Sequence, residues 1–210
     1  MTKLERLTAL AEKYGTDKLG HGYIPVYEKH LPQHPMSMIE IGCMNGASAK
    51  MFDDYFDNKI DVHIIDLFLN PDFVSMRWCR NNFFVPYQGS QSDIGFLSKI
   101  NIQADFIEED ASHNCHEQLI TFRHCFVYNL KSKGVYFLED THTSKPEEKF
   151  YWSGGVQNYE DTPLWTFKNY METGKIKNFM FSDADAEMFE NTIESVHIEA
   201  DEKIIVIKKK

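Results

Sequence analysis

The chain has 210 residues, of which 42% are hydrophobic and 26% are charged, and its formal net charge is -10. This length fits one domain with a large core, and the composition is that of an ordinary soluble folded protein rather than a disordered one. The negative charge argues against a nucleic-acid partner, because binding to a phosphate backbone depends largely on cations.

The N-terminal segment and the cysteines bear on location. No apolar run approaches the ~20 residues needed to cross a bilayer, and the charged segment 1–15 lacks the apolar stretch of a signal peptide. Cys43, Cys79, Cys115 and Cys125 form no C-x-x-C pair, which favours free thiols in a reducing compartment. We therefore expect a cytoplasmic protein with no membrane partner.

Short apolar runs alternate with amphipathic segments along the chain. Residues 1–31 are predicted to form a helical cap, interrupted by "YGTDKLGHG" (14–22). Strands are predicted at 36–42, 61–67, 83–89, 104–110 and 134–140, and helices at 45–57, about 72–82, 92–99 and 114–131. Residues 141–180 are aromatic and irregular, which suggests a substrate lid or wall. Residues 193–209 are predicted to form a hairpin around "ADEK" (200–203).

This alternation predicts an open α/β sheet. Strand–helix–strand units imply parallel strands joined by right-handed crossovers, and the hairpin would add an antiparallel strand at the end. In the doubly wound arrangement the first, fourth and fifth strands are neighbours. Residues 1–210 are expected to form one domain.

The turn "IEIGCMNGAS" (39–48) predicts a nucleoside site. It places Gly42 and Gly46 between a strand and a helix, where backbone N–H groups can approach a ligand. The G-x-x-x-G spacing differs from G-x-G-x-x-G and so disfavours a dinucleotide. Asp66 ends the next strand and could accept hydrogen bonds from ribose hydroxyls. A capping role for Asp66 is the alternative.

Carboxylates follow two strands that should be neighbours. Asp110 ends the fourth strand, and Glu139 with Asp140 ends the fifth. Adjacent strands lie ~4.8 Å apart, so these groups should converge and need a cation such as Mg²⁺. The alternative interpretation is that Glu139 or Asp140 only caps the segment that follows it. His113 could then act as a general base on a metal-held hydroxyl, whereas His116 is interpreted as a bystander.

Taken together, these motifs give the chain a family resemblance. It resembles the metal-dependent class I S-adenosylmethionine O-methyltransferases, especially the macrocin and mycinamicin sugar O-methyltransferases and the cephalosporin-hydroxylase-like group. The similarity covers most of the chain and includes "KYGTDKLGHGYIPVYEKHL" (13–31), "IEIGCMNGAS", "GSQSD" (89–93), "DASH" (110–113), "GVYFLEDTHTS" (134–144) and "YWSGG" (151–155).

The resemblance implies a Rossmann-like methyltransferase fold with a mostly parallel seven-stranded sheet, a C-terminal hairpin and helices on both faces. It implies S-adenosylmethionine and Mg²⁺ as cofactors and a small hydroxylated acceptor, such as a sugar, as the partner. The assigned roles are Mg²⁺ ligation by Asp110, Glu139 and Asp140, base catalysis by His113, and cofactor binding by Gly42, Met44, Ser48, Asp66, Ser90 and Gln91, with Thr16 and Lys18 closing over the site.

The chain also departs from the family pattern. Glu109 and Ala111 stand where the family has Asp and Gly, and Ser90 stands where it has Asp. A cofactor-binding regulator without transfer activity is therefore an alternative function, and a nicotinamide-dependent oxidoreductase is a third. The identity of the acceptor stays open, as does the oligomeric state, with a homo-oligomer among the alternatives.

Overall fold

The computed structural model describes residues 1–69, 84–145, 147 and 156–210, and within them seven strands form one sheet. The strands are β1 (Ser37–Ile41), β2 (Asp61–Asp66), β3 (Phe84–Gln88), β4 (Ala104–Glu109), β5 (Leu130–Leu138), β6 (Ile193–Glu199) and β7 (Ile204–Lys209). Their order is β3-β2-β1-β4-β5-β7-β6. The first five run parallel, and β7 runs antiparallel to both β5 and β6. The predicted adjacency of the first, fourth and fifth strands and the predicted hairpin are confirmed.

The helices of the described residues lie on both faces of this sheet. They are α1 (Lys3–Tyr14), α2 (Lys18–His21), α3 (Ile24–His30), α4 (Ala47–Tyr55), α5 (Ile94–Leu97), α6 (Cys115–Tyr128), α7 (Pro163–Thr173) and α8 (Asp183–Thr192). Short 3₁₀ turns occur at Thr141–Ser144 and Tyr159–Asp161. None of these helices is both long and apolar enough to cross a bilayer.

Local sequence explains where several helices begin. Thr2 and Glu5 form a capping box at the start of α1, and Ser182 and Asp185 form another at the start of α8. Asn114 accepts hydrogen bonds from the first backbone N–H groups of α6. These caps satisfy donors that a helix end otherwise leaves unpaired.

Two predicted segments differ from the structure. The helix predicted over 114–131 ends at Tyr128, because Asn129 turns the chain and β5 already begins at Leu130. Residues 141–180, predicted to be irregular, contain the regular helix α7, which Thr162 caps and Pro163 opens. The helix predicted at about 72–82, together with Cys79 and "YWSGG", lies outside the described residues.

The core consists of two apolar layers, one on each face of the sheet. On one face, residues of α1, α3 and α4, including Tyr27 and Phe52, pack against the strands. On the other face, α6, α7 and α8 contribute Phe122, Phe167 and Phe189. The buried sheet between these layers fixes the positions of the loops that follow its strands.

Candidate functional site

The register of the sheet aligns the carboxyl ends of four parallel strands on one side of the sheet. Ile41 of β1 lies opposite both Ile65 of β2 and Glu109 of β4, and Glu109 lies opposite Leu138 of β5. The residues that follow these strand ends, which include most of the predicted site, therefore lie side by side.

A cavity of about 500 Å³ lies at the carboxyl ends of these strands. Most of the predicted site residues lie in its wall: Thr16, Gly42, Met44, Ser48, Asp66, Ser90, Gln91, Asp110 and His113. Lys18, Glu139 and Asp140 are not lining residues. The structure therefore brings the predicted cofactor-binding segments together around one space, with the carboxylate cluster beside it.

Gly42 is required by a close approach of two chain segments. Its φ is +88°, and a Cβ atom at this position would lie 2.2 Å from the carbonyl oxygen of Asp110. The backbone N–H of Asp110 also donates to the carbonyl of Ile41. Glycine thus lets the loop after β1 pack directly against the loop that carries Asp110, in addition to any contact with a ligand.

Asp66 supports the same glycine loop. Its Oδ2 accepts hydrogen bonds from the backbone N–H groups of Cys43 (2.8 Å) and Met44 (3.3 Å), and its Oδ1 accepts from Phe68 (2.9 Å). Met44 has a φ of +44°, a conformation that is uncommon outside glycine. The carboxylate holds this turn in place while also facing the cavity.

Ser48 faces the cavity but donates its hydroxyl hydrogen to Glu40, a carboxylate of β1 with no exposed surface. Burial raises the pKa of Glu40 to about 8, although the hydrogen bond from Ser48 opposes this rise. Glu40 is therefore largely protonated at neutral pH and adds little negative charge there.

Gln91 connects three segments around the cavity. Its Nε2 donates to Glu109 (2.9 Å) and Thr121 (3.0 Å), and its Oε1 accepts from the backbone N–H of Ser112 (3.0 Å). The Ser90 and Ser92 hydroxyls lie 2.9 Å apart. The amide of Gln91 is therefore engaged in positioning the loop after β4, and its contact with a cofactor stays a prediction.

Lys18 is the cation of the carboxylate cluster. Its side chain is 1% exposed, and its Nζ lies 2.5 Å from Glu108, 2.9 Å from Asp110 and 2.8 Å from Glu139. The sequence placed Lys18 at the cofactor, but in the structure its ammonium group contacts these acids beneath the cavity wall.

Acidic side chains outnumber the lysine in this cluster, and their pKa values respond to this arrangement. Burial raises the pKa of Glu108 and of Glu139 well above their usual range, despite the opposing ammonium group of Lys18. The pKa of Asp110 is lowered, because Lys18 outweighs the effect of its burial. The neighbouring carboxylates in turn raise the pKa of Lys18. The raised pKa values show that the folded protein favours protons on Glu108 and Glu139, which a bound cation could displace.

Two tyrosines of the N-terminal segment hold the acids at the end of β5. The hydroxyl of Tyr27, on α3, donates to Glu139, and that of Tyr23 donates to Asp140 at 2.5 Å. Both tyrosines are fully buried. Sequence reasoning missed them, although the spacing of four residues in "YIPVY" (23–27) places them on one helical face.

His113 lines the cavity and lies near two carboxylates. Its Nδ1 is 3.3 Å from Asp140 Oδ2 and 3.9 Å from Asp110 Oδ1. Both His113 and Asp140 adopt positive φ values, 54° and 53°, which turn the two loops toward each other. His113 precedes α6 rather than lying on it, because that helix begins at Cys115. His116 lies in the first turn of α6 and is absent from the cavity wall.

These residues fit a hard divalent cation. Ligand atoms of Asp110, His113 and Asp140 lie within 4.8 Å of one another, as do those of Glu108, Asp110 and Glu139. Carboxylate oxygens are suitable Mg²⁺ ligands, and a nearby cation would favour the charged form of acids whose pKa burial has raised. Of the three predicted ligands, Asp110 and Asp140 lie beside His113, whereas Glu139 contacts Lys18 and Tyr27.

No protein-family profile matches the sequence, and no curated protein matches it either. The fold does have solved relatives. MycE, a methyltransferase of the mycinamycin biosynthetic pathway solved with Mg, SAH and mycinamycin VI, aligns with a TM-score of 0.76 and 21% identity. That alignment covers 97% of this chain and 54% of MycE. The chain therefore spans about half the length of that protein.

Two further structures share the fold more distantly. A candidate caffeoyl-CoA O-methyltransferase from Staphylococcus aureus aligns with a TM-score of 0.52 and 15% identity, over 100% of this chain and 93% of that protein. An O-methyltransferase family protein from Burkholderia thailandensis gives 0.51 and 9%, over 94% and 61%. The Rossmann-like methyltransferase fold is confirmed.

Proposed function

We propose that the protein is a Mg²⁺-dependent O-methyltransferase that uses S-adenosylmethionine to methylate a hydroxyl of a small, sugar-like or natural-product-like acceptor. One observation carries this proposal: Asp110, His113 and Asp140 converge beside a cavity whose wall includes the glycine loop and Asp66. The fold shared with MycE, solved with Mg, SAH and mycinamycin VI, supports it.

In this proposal the cavity wall holds the cofactor. Gly42, Met44 and Ser48 would bind its methionine and ribose parts, Asp66 the ribose hydroxyls, and Ser90 with Gln91 the adenine end. Thr16, which also lines the cavity, would close over it. Asp110 and Asp140, with Glu139 behind them, would hold Mg²⁺. When bound, S-adenosylmethionine supplies the methyl group and Mg²⁺ makes the acceptor hydroxyl more acidic.

His113 would remove the proton of the acceptor. Its Nδ1 faces the carboxylates of Asp110 and Asp140, and its Nε2 would take that proton. The two negative charges stabilise the imidazolium that forms. The acceptor oxygen would then take the methyl group from the sulfonium of S-adenosylmethionine, whose S–CH₃ bond breaks to leave S-adenosylhomocysteine. The chain thereby contributes orientation and charge rather than a covalent intermediate.

The remaining assignments concern organisation. The single domain would span residues 1–210, and residues 141–180 would form the acceptor side of the site. The described part of that segment begins with Thr141–Ser144, where Thr143 donates to the carbonyl of His113 at 2.9 Å. This contact couples the segment to the proposed base and supports its place beside the acceptor.

Two measurements test the proposal. Thermal unfolding should shift upward with S-adenosylmethionine, since a ligand at about 100 times its dissociation constant adds about 2.7 kcal/mol of stability. Methyl transfer to a panel of hydroxylated small molecules should require Mg²⁺ and stop on addition of chelator. Asp110→Asn should abolish transfer, whereas the control Asp17→Asn, which alters another carboxylate of the same cavity wall, should retain it.

The outcomes separate the alternatives. Transfer that persists in Asp110→Asn with unchanged metal dependence would contradict the mechanism. Cofactor binding without turnover on any acceptor would favour a regulatory binding protein. Tight NADH binding in place of S-adenosylmethionine binding would favour an oxidoreductase.

A further inference from the structure

Two histidines and a glutamate meet at the edge of the sheet, outside the lining of the cavity. His197 and Glu199 are two residues apart on β6, so their side chains lie on the same face of that strand. His30 is the last residue of α3, which packs against this face. Ligand atoms of all three side chains lie within 4.8 Å of one another.

The contacts within this cluster are close. His30 Nε2 lies 2.8 Å from Glu199 Oε1, and the centroids of the His30 and His197 rings are 4.7 Å apart. The side chain of His30 is 3% exposed, and its Nδ1 has no hydrogen-bond partner among the described residues. Among the described residues, a buried imidazole with one unpartnered nitrogen thus lies against a carboxylate and a second imidazole, an uncommon environment for a polar ring.

We propose that His30, His197 and Glu199 form a zinc site. Two imidazoles and one carboxylate are an established ligand set for Zn²⁺, which takes nitrogen and oxygen donors in tetrahedral geometry. His197 and Glu199 are partly exposed, so a water molecule can reach the fourth position. The proposed methyl transfer assigns no role to these three residues.

A lysine competes with the metal for this site. Lys29 Nζ lies 2.6 Å from Glu199 Oε1, and the Lys29 side chain is 57% exposed. Because its amino group reaches Glu199 from solvent, it can move away at little cost when a doubly charged ion binds. Removing the lysine charge should therefore strengthen metal binding at this cluster.

Zinc here would stabilise the position of α3. This helix places Tyr27 against Glu139 near its start and His30 against Glu199 at its end. A metal bond between His30 and β6 would fix the far end of the helix to the edge strand. The ion would thus act as a structural link on the side of the sheet that also positions the carboxylate cluster.

The test is a Zn²⁺ titration of the full chain carrying Asp140→Asn, which removes one carboxylate from the proposed Mg²⁺ site so that Zn²⁺ binds there more weakly. Asparagine tolerates the positive φ of this position and can still accept from Tyr23. Competition with a chromogenic chelator should detect one bound Zn²⁺, and Co²⁺ in its place should give the visible absorption of a tetrahedral site. His197→Gln and Glu199→Gln should each weaken binding by at least about tenfold.

Lys29→Met supplies a variant that leaves the ligands intact. It should tighten Zn²⁺ binding, whereas Lys175→Met, which removes a similarly exposed lysine paired with Glu190 at 2.7 Å, should not. The proposal is overturned if no Zn²⁺ binds, if His197→Gln leaves the affinity unchanged, or if Lys29→Met fails to increase it.

Discussion

Replacement of Lys18 by methionine should test how the buried carboxylates are stabilised. The substitution keeps much of the side-chain length but removes the only lysine or arginine that contacts Glu108, Asp110 and Glu139 within the described residues. Breaking a buried ion pair by removing one partner costs about 3–5 kcal/mol, because the remaining charge is left uncompensated. Lys18 is 1% exposed and contacts three acids, so we expect a loss of unfolding free energy of about this size at neutral pH.

The loss should depend on pH in a defined direction. The folded-state pKa of Glu108 and of Glu139 is raised, so the folded protein binds more protons than the unfolded one as these groups titrate. Their contribution to stability therefore falls as pH rises. Without Lys18 both pKa values rise further, so the difference between wild type and Lys18→Met should widen as pH rises through the range in which these groups titrate in the folded wild type.

Urea unfolding of both proteins across this pH range measures the effect. The control is Lys13→Met, which removes an exposed lysine that lies 2.5 Å from Asp54 and should leave the unfolding midpoint nearly unchanged. A loss below about 1 kcal/mol for Lys18→Met at pH 8, or a loss independent of pH, would refute the assigned role of Lys18.

Three further substitutions test other parts of the site. Gly42→Ala should destabilise the protein by about 1–3 kcal/mol and displace the Asp110 loop, because its Cβ would lie 2.2 Å from a backbone oxygen; thermal unfolding and S-adenosylmethionine binding would report both effects, and wild-type values would exclude the close approach. Tyr27→Phe should cost about 1–3 kcal/mol, since Glu139 loses a buried donor; calorimetry would detect this loss, and an unchanged melting temperature would contradict it. Glu40→Gln should become more stable relative to wild type as pH rises toward 8, because the raised pKa of Glu40 makes its deprotonation unfavourable in the folded state; a pH-independent difference in unfolding free energy would count against this pKa.

The sequence predicted the sheet well because its signals are local. Buried runs such as "MSMIEIG" (36–42), the glycine turn after them and the four-residue hairpin turn at 200–203 each specify one element without help from distant residues. Helix α7 was missed because its aromatic content obscured its cap, although Thr162 followed by Pro163 is a recognisable helix start.

The contacts of the candidate site were harder to predict, since most of them join residues far apart in the chain. The strand order placed Asp110 near Glu139, but nothing local indicates that Lys18 reaches both across 92 and 121 residues. Likewise, the sequence presents Gly42 as a glycine for close approach to a ligand, but in the structure the packing of one loop against another also requires it. Spacing rules identify residues at a strand end, but the partner from a distant segment follows only from the assembled fold.

These long-range contacts change how the N-terminal segment should be understood. The sequence predicts residues 1–31 as a cap over a site built by the sheet. In the structure these residues also supply Lys18, Tyr23 and Tyr27 to the acids that follow β4 and β5. Several carboxylates so close together are unfavourable without these partners, since the described strands add no lysine or arginine contact to Glu108 or Glu139. The cap is therefore a condition for assembling the carboxylate cluster, and the charge of that cluster is set by a segment that lies more than 90 residues away in sequence.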